Sequence, residues 1–397
     1  MMKFSLCMIV KNESHVLARC LDSLQGLFDQ IVIVDTGSTD DTKEIAARYT
    51  DEVYDFVWQD DFSAARNFAF SKCSGDYIYS ADADEVLDSD NRRRFFQLKE
   101  AMLPEIEIVQ MKYVEPDSQT VMNSIAEYRP KLFRRLRTFT WIDPVHESVR
   151  LDPVVYNSDI EILHLPETKH TGRDFSIFEK AYKRDGVLSK KICMTYAREL
   201  LKWGKPADFA AAADIFHGIE KSNPDDSLLL TATYCVLAHN ARIQASRIDE
   251  ESEENALANT GFQTSMADDE SEKNVVTDYA KLQKNSAEFM KYTAKLLVSN
   301  PPAEICYELG EYFEKARDYD EASIWFYNAA FETESSLDIH RGGDLALKKL
   351  SECYTALANQ AEEDENPNIS SNVSTLRKLA EKYQKQADDW TMPEGDM

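Results

Sequence analysis

Asp76-Tyr77-Ile78-Tyr79-Ser80-Ala81-Asp82-Ala83-Asp84-Glu85 reads as a short buried strand that leaves a turn and ends in a cluster of carboxylates. Tyr77, Ile78 and Tyr79 favour β structure and Gly75-Asp76 is a turn signal. In an open α/β sheet, ligands sit at the carboxyl ends of the strands, where Asp82 and Asp84 fall. Two carboxylates one residue apart repel each other unless a cation lies between them. Hard oxygen donors suit Mg²⁺ or Mn²⁺, and such an ion is most useful bridging a diphosphate. An isolated Asp-x-Asp is more often a polar strand-to-helix turn, so the segments upstream decide the matter.

Those segments alternate. Phe4 to Val10 is a buried first strand, stopped at Lys11-Asn12-Glu13. Asn12 or Ser14 can cap a helix whose Val16, Leu17, Cys20, Leu21 and Leu24 share one face, and Gly26 ends it. Gln30 to Asp35 is too uniformly apolar to be half solvated, as a parallel strand covered on both faces would be. Thr36 to Thr42 caps a helix through Ile45, Ala46 and Tyr49. Val53 to Val57 follows as a strand, then Phe62 to Lys72 as a helix closed by Gly75. This order predicts a parallel sheet with right-handed crossovers. Asp35, Asp61 with Arg66-Asn67, and Asp82 with Asp84 should then face one crevice. Asp35 can accept hydrogen bonds from a uracil imide or a ribose hydroxyl, Arg66 near a helix N-terminus can meet a phosphate, and Asn67 offers a donor and an acceptor to a sugar. Singly each is more often a turn or surface residue. Together they describe a nucleotide-diphosphate site without a glycine-rich loop.

Met8-Ile9-Val10-Lys11-Asn12-Glu13, Ile33-Val34-Asp35-Thr36-Gly37-Ser38-Thr39-Asp40, Asp61-Phe62-Ser63-Ala64-Ala65-Arg66-Asn67 and Asp82-Ala83-Asp84 succeed one another in an order that resembles the family-two glycosyltransferases of GT-A fold, over about residues 4–175. The resemblance implies a nucleotide-activated sugar donor, usually bound through Mn²⁺ or Mg²⁺, and transfer with inversion. It places Val10, Asn12, Glu13, Asp35, Ser38, Asp61, Arg66, Asn67, Asp82, Ala83 and Asp84 on the donor, with Asp35 reading the base and Asp82 and Asp84 forming the metal motif.

Tyr128-Arg129-Pro130-Lys131-Leu132-Phe133-Arg134-Arg135 is a basic strand, either a solvated edge or a group of cations for the leaving nucleotide or the acceptor. Trp141-Ile142-Asp143-Pro144-Val145-His146-Glu147 and then Ile160 to His164 follow. Histidines near strand ends are usually structural. A Val-His-Glu segment, a strand ending in His and a helical repeat tail together resemble the subset that includes sublancin-type peptide S-glycosyltransferases and transferases acting on cell-surface polysaccharide. By that resemblance His164, with His146 second, completes the metal site. Inverting transfer needs a base on the acceptor; Glu147 is the candidate, with Asp143 and Glu85 in reserve.

Beyond Phe175 the pattern turns helical. Cys306, Leu309, Gly310, Phe313, Ala322, Phe326 and Ala329 fall at tetratricopeptide spacing, and Tyr196, Leu200, Trp203, Ala212, Phe216 and Pro224 suggest an earlier copy. The acidic stretch 249–273 reads as an inserted loop. The expected organisation is an α/β, GT-A-type domain over 1–175 with a mixed, mainly parallel sheet, then an all-α repeat domain over 176–397. Repeats bind peptides or form dimer interfaces, so a homodimer through them is one expectation. The net charge of −26 argues against a nucleic-acid surface. Seven scattered cysteines and the absence of an apolar run of 18 residues point to reduced thiols, a cytoplasmic setting and no transmembrane segment. The expected activity is transfer from a nucleotide sugar, taken as a UDP-sugar, to a peptide, protein or glycan; a non-catalytic binding scaffold is the rival.

Overall fold

Seven residues of nearly unbroken burial, Phe4–Val10, form β1, the strand on which the first unit is built. Leu6 and Met8 pack into one hydrophobic cluster with Leu17, Leu21, Tyr79 and Phe95, while Cys7 packs into another with Val32, Val34, Ala69 and Ile78. Alternate side chains thus feed opposite faces, each apolar. Burying a residue of this size contributes about 1.5–3 kcal/mol, so a polar residue within the strand would be costly. The computed structural model describes residues 2–114, 127–135, 141–142, 148–149, 154–165, 171–259, 284–298, 300–363 and 370–391. The chain divides into two units, Met1–Arg184 and Asp185–Met397.

In the first unit β2 (Gln30–Asp35), β3 (Val53–Asp55), β4 (Tyr77–Ala81), β5 (Glu85–Val86), β6 (Ile108–Val114), β7 (Glu127–Arg134) and β10 (Val155–His164) join β1 in one sheet. Its order is β3-β2-β1-β4-β7-β6-β10-β5. β1 lies parallel to β2 and β4, and β2 to β3. β7 enters antiparallel to both β4 and β6, β10 runs parallel to β6, and β5 turns back antiparallel on β10. The sheet is therefore mixed and mainly parallel, of GT-A type. β8 (Trp141–Ile142) and β9 (Ser148–Val149) pair separately. Helices α1 (Leu17–Leu24), α2 (Thr42–Ala46), α3 (Phe62–Lys72), α4 (Ser89–Ala101) and α5 (Thr171–Asp185) complete the unit. At Gly75 a Cβ would stand 2.8 Å from the backbone nitrogen of Ser5. Only glycine lets the chain enter β4 this close to β1.

The second unit is helical: α6 (Lys190–Trp203), α7 (Pro206–Ser222), α8 (Ser227–Asn259), α9 (284–297), α10 (Ala303–Lys315), α11 (Tyr319–Tyr327), α12 (Asp344–Glu363) and α13 (Ser370–Asp388). Gly310 of α10 is where α11 crosses closest, since a Cβ there would lie 2.6 Å from the Phe326 ring. Cys306, Ala322, Phe326 and Ala329 are all fully buried around that crossing. In the earlier helix pair Tyr196 and Phe216 meet with ring centroids 5.5 Å apart, whereas Trp203 is half exposed. The stretch expected as a loop from 249 is helical as far as Asn259, where Glu and Ala favour helix; 260–273 lies outside the described residues. All seven cysteines are free and buried. Among the described residues no helix is long and apolar enough to cross a membrane.

A single buried carboxylate ties three segments of this unit together, α10, α8 and the short 3-10 helix Ile339–Gly342. Glu308, 1% exposed, meets Arg341, accepts from Arg242 Nε at 2.6 Å and from His239 Nδ1 at 2.6 Å. Burial opposes its ionisation, but Arg242 and its neighbours outweigh that and hold the carboxyl well below the usual range. Burial also pushes the His239 imidazole down, disfavouring its protonated form despite the pull of Glu308. Glu308→Ala should therefore lower unfolding free energy by about 3–5 kcal/mol, because two guanidiniums lose their buried counter-charge; urea denaturation followed by far-UV circular dichroism measures it. The stabilisation from Glu308 is complete above its unfolded pKa, about 4.3, and is lost as pH falls through the depressed folded value.

Candidate active site

Asp35 closes β2 with its side chain 2% exposed. Its Oδ2 accepts from the backbone nitrogens of Gly37 at 3.0 Å and Ser38 at 2.9 Å, while Oδ1 is buried without a hydrogen-bond partner. The loops after β1 and β2 are stitched together beside it. Asn12, in the left-handed region at φ 56°, accepts from Thr39 N at 2.8 Å and donates its own backbone N–H to Ser38 Oγ. The backbone of Glu13 donates to Thr42 Oγ1 at 2.7 Å. Val10 lies one strand over, its carbonyl accepting from Thr36 N. The side-chain carbonyl of Asn12 is thus spent on loop architecture.

α3 supplies the next groups. Asp61 caps it, accepting from Ala64 N at 3.0 Å. One turn in, Arg66 donates to Ser80 Oγ at 2.7 Å and to Asp82 Oδ1 at 3.3 Å, with its guanidinium 5.2 Å from the centroid of the Trp141 ring. Asn67 uses both ends of its amide on the backbone of Trp141, donating to its carbonyl at 2.9 Å and accepting from its N–H at 2.8 Å. The sequence suggested Asn67 for a sugar; in the fold it fastens β8 and so holds the indole face under Arg66.

At the end of β4 the chain turns over Asp82-Ala83-Asp84-Glu85. Asp82 meets Arg66 on one oxygen and Lys131 Nζ, at 3.5 Å, on the other. Lys131 is 5% exposed and also contacts Glu85, itself 2% exposed. Desolvation opposes the Asp82 charge, yet Lys131 and Arg66 hold its carboxyl far below the usual range. Glu85 goes the other way: burial and then Asp82 push it up to about 7 against the pull of Lys131. Burial disfavours the Lys131 ammonium too, but Glu85 and Asp82 more than compensate, so it stays charged. Like charges about 4 Å apart in such a setting repel by about 4 kcal/mol, which is why the carboxylates come with cations.

His164 ends β10 opposite Glu85 in the antiparallel ladder. That register brings His164 Nε2 to 3.0 Å from Asp84 Oδ2. Two ligands at right angles on an ion with bonds of about 2.1 Å stand about 3.0 Å apart. The pair therefore has the spacing of one edge of an octahedral Mn²⁺ or Mg²⁺ site, and both side chains keep some exposure, 24% and 19%. Among the described residues no three His, Cys, Asp or Glu side chains close on one point, because Asp82 is turned towards Arg66 and Lys131. Asp84 and His164 are donors of the kind such an ion takes, a carboxylate oxygen and an imidazole nitrogen.

Asp143, His146 and Glu147 lie outside the described residues. Lys131 and Trp141 entered the sequence reading only as members of longer segments, with no role of their own. The available signal for Lys131 was arithmetic: three carboxylates at 82, 84 and 85 call for a buried cation, and the one basic strand of this acidic chain was the place to look.

Residues 5–149 match the family model described as Glycosyl transferase family 2. A TPR repeat-containing protein of Synechococcus elongatus is 46% identical over 87 residues, covering 22% of this chain and 22% of that protein. An uncharacterized glycosyltransferase of Rickettsia prowazekii is 26% identical over 225 residues, 52% of this chain and 70% of its own. The SPbeta prophage-derived glycosyltransferase SunS of Bacillus subtilis is 29% identical over 158 residues, 38% of this chain and 35% of SunS. The chain thus spans about a fifth of the Synechococcus protein and a third of SunS. Among solved structures, glucosyl-3-phosphoglycerate synthase from Mycobacterium tuberculosis in complex with Mn²⁺ and UDP-glucose aligns with a TM-score of 0.34 at 13% identity, over 48% of this chain and 81% of that one.

Asn67→Ala removes both bonds to the Trp141 backbone and should cost about 1–3 kcal/mol, with a shift in tryptophan fluorescence as the indole loses its seat; urea titration read by that emission checks both. Strands β2 to β7 and the carboxylates at the strand ends lie within residues 5–149, the stretch that is similar to glycosyl transferase family 2.

Proposed function

We propose that the first unit transfers a sugar, with inversion, from a nucleoside-diphosphate donor, a UDP-sugar, to a peptide or protein that the helical unit holds. The observation that carries the donor reading is the buried, unpaired Asp35 Oδ1. Leaving such an oxygen without a donor costs about 1–3 kcal/mol or more, and a uracil imide N–H would remove that cost. Asp35 ends β2, Asp82 follows β4, and β1 lies between them. The two carboxylates therefore sit two interstrand spacings, about 10 Å, apart, a distance that suits a nucleoside lying between its base and its diphosphate.

Asp84 and His164, with Asp82 beside them, would hold Mn²⁺ or Mg²⁺; bound there, the ion supplies positive charge to the departing diphosphate. Arg66 adds a second positive charge on a rigid platform, since Ser80, Asp82 and the Trp141 face fix its guanidinium. In-line displacement places the acceptor opposite the diphosphate and needs a base for its proton, the role we give Glu147, with Asp143 and His146 next to it in sequence. The peptide reading is supported by the close-crossing α10–α11 pair, since stacked helix pairs build concave surfaces that suit polypeptides.

A panel of nucleotide sugars with and without Mn²⁺, read by thermal shift, tests this. A ligand at a hundred times its Kd adds about 2.7 kcal/mol of stability. Asp35→Asn keeps a carbonyl oxygen for Gly37 and Ser38 but sets an amide where the free oxygen stood; UDP affinity should fall about 10–100-fold, measured by calorimetry. Asp84→Ala should abolish the Mn²⁺-dependent part of the shift and leave UDP alone still bound. If no nucleotide sugar gives a metal-dependent shift, the donor reading is wrong.

A further inference from the structure

The 82–85 segment is a turn closed on itself. Glu85 N donates to the Asp82 carbonyl at 3.3 Å, and Asp82 N donates to Glu85 Oε2 at 3.3 Å. Its apex and its base are attached to different strands. At the apex, Asp84 meets His164, Leu165 N donates to the Asp84 carbonyl at 3.1 Å, and Glu85 pairs with His164 in the ladder. Across the base stands Lys131, whose ammonium contacts Glu85 and lies 3.5 Å from Asp82 Oδ2. Lys131 belongs to β7, and its neighbour Leu132 pairs with Tyr79 of β4. Sheet register therefore sets where the ammonium stands, which is unlike a surface lysine free to swing. The Tyr113 ring links the two attachments, 4.8 Å from the His164 ring and 5.6 Å from Lys131 Nζ.

We propose that Lys131 is a positioning residue: a clamp whose buried ammonium joins the two ends of the 82–85 turn and so holds Asp84 against His164 for a metal–nucleotide complex. The inference rests on the donor-site reading above. With Lys131 present, Asp82 is met by Lys131 and Arg66 and Glu85 by Lys131, and Asp84 is left to the histidine. Without it, no ammonium spans Glu85 and Asp82 at the turn's base. The turn then opens there, and Asp84 moves from its place beside His164.

The test compares the full chain with Lys131→Met and with the double substitution Lys131→Met/Glu85→Leu. The single change strands a buried carboxylate and can fail to fold; the double change removes both charges, and apolar replacement of a buried ion pair tends to preserve stability. Binding of Mn²⁺ in the presence of UDP is followed by the electron paramagnetic resonance of free Mn²⁺, binding of UDP alone by calorimetry, and folding by thermal melting. The double variant should melt within a few degrees of the unsubstituted chain, bind UDP alone within about threefold, and hold Mn²⁺ with UDP at least about tenfold more weakly. Unchanged Mn²⁺ affinity in the double variant overturns the clamp while leaving the donor site standing. A large drop in its melting temperature, or an equal loss of UDP alone, makes Lys131 a fold residue and likewise overturns it. If the unsubstituted chain itself shows no UDP-dependent Mn²⁺ binding, the donor-site reading falls and the clamp falls with it.

Discussion

Three carboxylates within four residues, Asp82, Asp84 and Glu85, must share the end of one strand, and much of the first unit can be read as the means of making that tolerable. Their mutual repulsion is met from three directions. Arg66 comes from the helix before β4, Lys131 from the antiparallel neighbour of β4, and His164 from the strand on which β5 folds back. Each arrives on a regular element, so each is placed by backbone hydrogen bonds rather than by a side chain's own preference. The consequence is a division of labour. Asp82 is met by two cations, Glu85 is sealed in the core at a pKa of about 7, and Asp84 takes the imidazole partner.

The insertion of β7 between β4 and β6 is what allows this. A wholly parallel sheet would have offered β4 another parallel strand, whose own C-terminal loop would crowd the same end. An antiparallel strand instead runs into the site from the opposite direction and delivers the middle of its length, Lys131, beneath the turn. Trp141 is reached by a comparable detour: Asn67 grips its backbone, and Phe70 and Phe133 meet its ring edge-on at 5.5 and 5.2 Å. The cation over that ring is thereby held in place.

The helical unit solves the same electrostatic problem with other parts. Glu308 is buried among Arg242, Arg341 and His239, and Glu304, fully buried about one turn earlier at the start of α10, accepts from the backbone nitrogens of Ser336, Leu337 and Asp338. In both units an acidic chain hides carboxylates in its core and binds each one to groups distant in sequence. Such contacts add specificity of arrangement rather than large net stability.

The run of elements was legible in the amino-acid order because two-sided burial demands uninterrupted apolar strands: Phe4 to Val10, Gln30 to Asp35 and Tyr77 to Ala81 announce themselves, as do Phe62 to Lys72 and the Gly310–Phe326 spacing. Right-handed crossovers then leave little choice but β2-β1-β4, so the amino-acid order alone gathers Asp35, Arg66, Asp82 and Asp84 at the carboxyl ends of neighbouring strands. Other features lay beyond reach. That Asn67 would serve Trp141, 74 residues on, that Lys131 would be buried rather than solvated, and that Asp84 would face His164 while Asp82 would not all depend on strand pairings between segments far apart in the chain. Local pattern reports which residues are apolar and in what rhythm; it is silent on which distant strand will dock beside them, because that choice is made by the summed packing and hydrogen bonding of the whole sheet.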